Sequence, residues 1–149
     1  MSELNVSVSA TINGSAEKVY NVLADYVNHH PHILPPAYFT KLEVEEGGTG
    51  AGAVFRAGFK MLGQEQPLRM RVTEPEPGRV LVETDLDSGL VTKFIVESRG
   101  EGRSEVTFDT TMKRSPGVQG WIERVIVPRY LRRVYRVELQ QLDEYVSRL

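Results

Sequence analysis

Cysteine is absent from all 149 residues. That excludes disulfides, thiolate zinc centres, iron–sulfur clusters and a cysteine nucleophile. Excess charge of either sign is lacking too: 18 Lys and Arg stand against 20 Asp and Glu, for a net charge of -2. A chain so balanced has no long-range field to gather nucleic acid or an anionic membrane. No run of about 18 apolar residues occurs, so no integral membrane segment is expected. The opening MSELNVSVSA has neither the basic start nor the apolar centre of a signal peptide. The expected location is the cytoplasm.

What is present is globular in composition, with 40% hydrophobic and 26% charged residues. A chain of this length fits one domain over 1–149 and buries roughly 70% of its unfolded surface. Apolar residues occupy the even positions of 4–12, from Leu4 to Ile12, with polar residues between them, as in a strand with one buried face. Asn13-Gly14 ends it, and Ser15 is placed to cap a helix through Val19, Tyr20, Val22 and Leu23. Segment 27–36 holds three prolines and allows only a short helical turn or an ordered loop.

Alternating runs follow at 38–45, 54–62, 64–73, 80–86, 90–98 and 105–113, separated by turn signals. The short connections imply antiparallel neighbours, because a parallel crossover needs a dozen or more residues. Ser115-Pro116 reads as a helix start, and apolar residues keep helical spacing to Ser147. Such a helix would be ~45 Å long, with Pro128 expected to kink it or begin a second segment.

The fold class expected is α+β: a sheet of about seven antiparallel strands wrapped around a long C-terminal helix, with one or two short helices after the first strand. The sheet's apolar face needs a cover, and that helix is long enough to provide it. This order, the segment SAEKVYNVLADYVNHHPHILP, the VEEGGTGAG corner and the ending GWIERVIVPRYLRRVYRVELQQLDEY resemble the helix-grip proteins of the START-like or SRPBCC superfamily. That superfamily includes polyketide cyclase/dehydrase-like and coenzyme-Q-binding-like members. The resemblance covers nearly the whole chain and implies a cavity between sheet and helix. Members differ in ligand and activity, so the fold does not carry a function with it.

Strand parity nominates Tyr38, Phe55, Phe59, Met70, Thr84, Thr92, Phe94, Phe108, Thr110 and Met112 as inward residues, and the helix adds Trp121, Val125 and Tyr135. Aromatic and methionine walls suit a flat or flexible apolar ligand that the hydroxyls could orient, though the same residues would also serve as core filling. His29, His30 and His32, with Gly48 and Gly50 of the glycine run, are placed at the cavity mouth. No metal is expected, because adjacent histidines in a proline-rich turn point apart and no carboxylate stands at ligand spacing. The glycine run lacks a GK[ST] ending and precedes a strand, so it offers no nucleotide cradle, and no cofactor is expected. Arg124, Arg129, Arg132, Arg133 and Arg136 read as a solvated helix face rather than a nucleic-acid surface.

The inward positions so assigned contain no Asp, Glu, Lys or Arg. This counts against acid–base catalysis, although a strand bulge would reverse the parity. The leading reading is therefore noncatalytic binding of a hydrophobic small molecule: a lipid, an isoprenoid or quinone, or an aromatic polyketide. The alternatives are a polyketide cyclase or dehydratase, and a protein-interaction module with a vestigial cavity. A void without charged lining favours the first, a buried titratable group beside the void the second, and a filled core with an exposed apolar patch the third. As to assembly, a monomer and a homodimer fit the sequence equally.

Overall fold

A computed structural model describes residues 3–61, 63–113 and 117–149. Seven strands, β1 (Glu3–Ile12), β2 (Glu43–Glu46), β3 (Val54–Met61), β4 (Gln64–Glu76), β5 (Val80–Asp85), β6 (Val91–Ser98) and β7 (Ser104–Lys113), form one antiparallel sheet in the order β1-β7-β6-β5-β4-β3-β2. β1 closes against the last strand because the two helical elements after it return the chain to the far edge. These are α1 (Ala16–Ala24) and a 3-10 turn (His30–Ile33). Ser15 caps α1 by accepting from the Lys18 amide at 3.2 Å, as its residue type requires.

The C-terminal helix, α2 (Gly117–Ser147), is one continuous helix that runs through Pro128 without starting a second segment. Its start at Ser115-Pro116 lies outside the described residues. Val134, Leu139, Leu142 and Val146 pack into the same core as Leu4, Val6, Val8 and Ile12 of β1. Its end is tied to α1: the Asn13 amide donates to Asp143, and Lys18 Nζ donates to the Leu149 carbonyl. No described helix is long and apolar enough to cross a membrane.

The strand expected over 38–45 is shorter. The amides of Tyr38 and Phe39 both donate to the Pro35 carbonyl, so the chain is still turning after the prolines, and strand pairing starts at Glu43. Tyr38 accordingly sits in a turn, edge-on to Tyr130.

β5 holds the larger departure. The residues paired across the sheet run Val72, Glu83, Thr92, Thr110 and Val6, and all of these are buried. Glu83 therefore faces inward with them, as does Asp85 opposite Met70, whereas Thr84 pairs with Arg71 and Val91 on the other face. Thr84 reads as inward from the sequence only because its neighbours on the outer face of β5, Val80 and Val82, are themselves apolar. The pairing with β4 is interrupted between Thr73 and Glu76, whereas the pairing with β6 runs unbroken from Val80 to Thr84 and holds the phase of the strand.

Candidate functional site

A cavity of about 570 Å³ lies between the concave face of the sheet and α2. Its walls include Phe55 and Phe59 from β3, Met70 from β4, Phe94 from β6, Met112 from β7, and Val127 and Leu131 from α2. Gln66, Pro67, Asp87, Ser88 and Lys113, all exposed, form its rim. Alanine in β3 leaves room where a larger inward residue would have filled the space: Ala57 is part of the wall between Phe55 and Phe59.

Polar groups cross this apolar space in one band. Glu83, Thr92 and Thr110 are successive cross-strand neighbours on β5, β6 and β7. Thr92 Oγ1 and Thr110 Oγ1 are 2.8 Å apart, and Tyr135 Oη is 2.5 Å from Thr110 Oγ1. Glu138 stands three residues beyond Tyr135 on α2 and also lines the cavity. The residue is 3% exposed, and no hydrogen bond to its carboxyl occurs among the described residues.

At one end of this band Tyr26 is stacked between the His30 ring, 4.6 Å away, and the Phe55 ring, 4.7 Å away. Its hydroxyl donates to Glu83 Oε2 at 2.7 Å. His30 Nδ1 donates to the Leu23 carbonyl at 2.6 Å, and a carbonyl can only accept, so the neutral ring carries its proton there. Nε2 is then the bare nitrogen, 3.9 Å from Glu83 Oε2.

Burial controls the charge states. It lowers His30 to about 4, against a smaller opposing effect of the Leu23 carbonyl. It raises Glu83 to about 7, opposed by the Tyr26 hydrogen bond. Glu138 is pushed well above the carboxylate range, first by burial and then by the charge on Glu83. At neutral pH His30 is therefore uncharged and its approach to Glu83 is not an ion pair, while Glu83 is poised between its two forms. Two carboxyl groups near or above neutrality in one cavity can both donate and accept protons.

Of the residues nominated from the sequence, Phe55, Phe59, Met70, Thr92, Phe94, Thr110, Met112, Tyr135 and His30 lie on the cavity wall. Tyr38 and Thr84 do not, for the reasons given above. Phe108 is fully buried between the Phe94 and Tyr135 rings, behind the wall. Trp121 is 62% exposed and Val125 lies off the wall, because α2 turns Glu123, Val127 and Leu131 inward at four-residue steps. His29 and His32 leave the mouth to pack on Tyr145, His29 through a 2.7 Å contact to the Tyr145 hydroxyl and His32 by stacking. Gly48 and Gly50 are bound to the end of α1, through Tyr26 N to Gly48 O and Gly50 N to Ala24 O, and stand away from the mouth. No group of three metal-binding side chains is gathered among the described residues.

Sequence reasoning missed Glu83, Asp85 and Glu138. Asp85 is engaged locally, accepting from the amides of Arg69 and Ser88 and from the Ser88 hydroxyl. Glu138 was detectable: the spacing of Val134, Tyr135, Leu139 and Leu142 puts it within the buried stripe. Glu83 carried no such mark.

The family model described as polyketide cyclase / dehydrase and lipid transport matches residues 3–147. Among solved structures, the KanY protein shares 28% identity at a TM-score of 0.85, with 99% of each chain covered. The Zhui aromatase/cyclase of a Streptomyces strain shares 18% at a TM-score of 0.79, with 99% of this chain and 95% of that chain covered. A START superfamily protein of Mycobacterium smegmatis shares 14% at a TM-score of 0.74, with 97% of each chain covered. The last two likenesses show the fold alone. No protein of curated function matches the sequence.

Proposed function

We propose, from the premise that this chain belongs to the polyketide cyclase / dehydrase and lipid transport family, that it binds an apolar, oxygen-bearing small molecule and carries out cyclase- or dehydratase-type acid–base chemistry on it. The observation that carries this reading is Glu138, a buried carboxyl on the cavity wall with no partner among the described residues, beside a second raised carboxyl at Glu83. An unpartnered buried carboxyl costs stability, and a carrier of purely apolar cargo has no use for one.

In the proposed chemistry a protonated Glu138 donates to a ligand carbonyl oxygen, which makes the adjacent C–H acidic. Glu83 in its carboxylate form accepts the proton from that carbon. The enol so formed attacks a second carbonyl, its O–H proton returns to the Glu138 carboxylate, and Glu83, now protonated, gives its proton to the new alkoxide. When water is lost, Glu83 takes a second proton from the carbon between the two groups while Glu138 protonates the departing hydroxyl. Phe55, Phe59, Phe94, Met70 and Met112 hold the carbon skeleton and exclude water. Tyr135 and the two threonines supply hydroxyls that fix the orientation of its oxygens.

The expectation that the inward faces carry no titratable group argued for noncatalytic binding, and that ground is removed by the phase of β5 and by Glu138. The carrier reading keeps the support of the predominantly apolar wall. A soluble poly-β-ketone separates the two. Under the enzymatic reading the protein accelerates ring closure or loss of water, and Glu138→Gln binds the compound with similar affinity while losing the acceleration. Tight binding without acceleration by the unaltered protein would leave a carrier.

A further inference from the structure

The balanced total charge conceals a strong local asymmetry. Between Gly117 and Arg136 the only acidic residue is Glu123, which lines the cavity. Arg124, Arg129, Arg132, Arg133 and Arg136 are all exposed, and none makes an ion pair or a side-chain hydrogen bond among the described residues. On the turns before most of these arginines, Val118, Trp121, Ile122 and Ile126 are 77%, 62%, 42% and 40% exposed. Their spacing of three and four residues continues into Arg129, Arg132, Arg133 and Arg136, so one outward face of α2 is apolar at its start and basic beyond. The arginines are solvated, as read from the sequence, and the apolar side chains beside them are exposed as well.

We propose that this outward face of α2 docks on an anionic phospholipid bilayer, with Val118, Trp121 and Ile122 entering the acyl–headgroup boundary and the arginines meeting lipid phosphates. Charge complementarity selects an anionic surface, because the face carries Arg129, Arg132, Arg133 and Arg136, and the one acidic residue from Gly117 to Arg136, Glu123, lines the cavity. The apolar side chains project from the exposed side of a helix, which suits a fluid surface that needs no matching shape. Tryptophan favours that boundary, and arginine stems reach from apolar surface to phosphate. Lys113 and Glu123 belong both to the cavity lining and to this end of the molecule, so docking would bring the cavity rim to the bilayer from which an apolar ligand partitions.

Trp121 is the single tryptophan, so its emission reports on this face directly. The protein is mixed with vesicles of equimolar phosphatidylglycerol and phosphatidylcholine, and with vesicles of phosphatidylcholine alone. The expected result is co-sedimentation with the anionic vesicles only, a blue shift of Trp121 emission, and reversal by salt. Each of Arg129→Gln, Arg132→Gln, Arg133→Gln and Arg136→Gln should weaken binding about fivefold. Trp121→Ala should weaken it with an unchanged melting temperature, because its side chain is exposed. Failure to bind anionic vesicles overturns the proposal, as does binding that leaves Trp121 emission unmoved or that survives removal of all four arginines. Association with soluble polyglutamate in preference to the vesicles would assign the face to an acidic protein and overturn it too.

Discussion

The Tyr26 hydroxyl donates to Glu83 Oε2 at 2.7 Å, the one hydrogen bond this buried carboxyl receives among the described residues. The contact joins the segment after α1 to the centre of the sheet, with Tyr26 held in place by the His30 and Phe55 rings stacked on its two faces. One phenol thus serves both packing and the charge state of the cavity.

Replacing that phenol should show both roles. Tyr26→Phe keeps the stacking but leaves Glu83 without a donor, at a cost of about 1–3 kcal/mol. The Glu83 carboxyl should titrate further above 7 than in the unaltered protein, since the hydrogen bond now opposes the effect of burial. Urea unfolding measures the first effect and carboxyl NMR titration the second. An unmoved Glu83 titration would mean that the hydrogen bond does not tune it.

Glu83 and His30 should have opposite effects on stability as pH changes. The folded state raises Glu83 from 4.5 to about 7, so between these values the unfolded chain loses a proton that the folded chain keeps, and stability falls by about 3 kcal/mol as pH rises. His30 is lowered from 6.5 to about 4, so stability falls by a similar amount, about 3 kcal/mol, as pH drops through that range. The slopes largely cancel between pH 4.5 and 6.5. Glu83→Gln keeps an acceptor for Tyr26 and removes one slope, so its stability relative to the unaltered protein should grow by about 3 kcal/mol from pH 4.5 to 7. Denaturant unfolding across that range checks this, and parallel profiles would contradict it.

Glu138 should oppose stability to function. Glu138→Leu replaces an unpartnered buried carboxyl with apolar volume, and should stabilise the protein by about 1–3 kcal/mol at neutral pH while abolishing turnover of a reactive ligand. Thermal unfolding and the poly-β-ketone assay read the two effects on one sample. A loss of stability would show that a structural partner holds this carboxyl.

Gly50 has a φ of 62°, and a Cβ there would run into the Glu74 carboxylate. That carboxylate accepts from Tyr20 at 2.6 Å and from the Ala51 amide at 2.8 Å. Gly50→Ala should therefore cost at least about 1–2 kcal/mol from backbone strain, with loss of the Glu74 contacts in addition. Because the loop is bound to α1 and stands away from the cavity wall, ligand affinity should not change. A changed affinity, measured by calorimetry with an apolar ligand, would return this loop to the cavity mouth, where the sequence placed it.

The alternation in β1, β3, β6 and β7 was enough to place Val6, Phe55, Phe59, Phe94, Thr92 and Thr110 on the buried face. A period of two leaves only two choices, and hydrophobicity decides between them wherever one face is polar. The order of elements likewise implied a sheet covered by its last helix. Three features depended on tertiary structure. In β5 both faces carry apolar residues, so hydrophobicity could not select one, and pairing with Val72 and Thr92 turned Glu83 inward. Along the first turns of α2 the inward face is set by where the helix meets the cavity, which puts Trp121 outside despite its apolar character. His30 parts from His29 and His32 because the Leu23 carbonyl holds its ring inward, a partner that spacing does not specify. Local periodicity sorts residues only where the two faces of an element differ in polarity; elsewhere the neighbouring strands and helices decide.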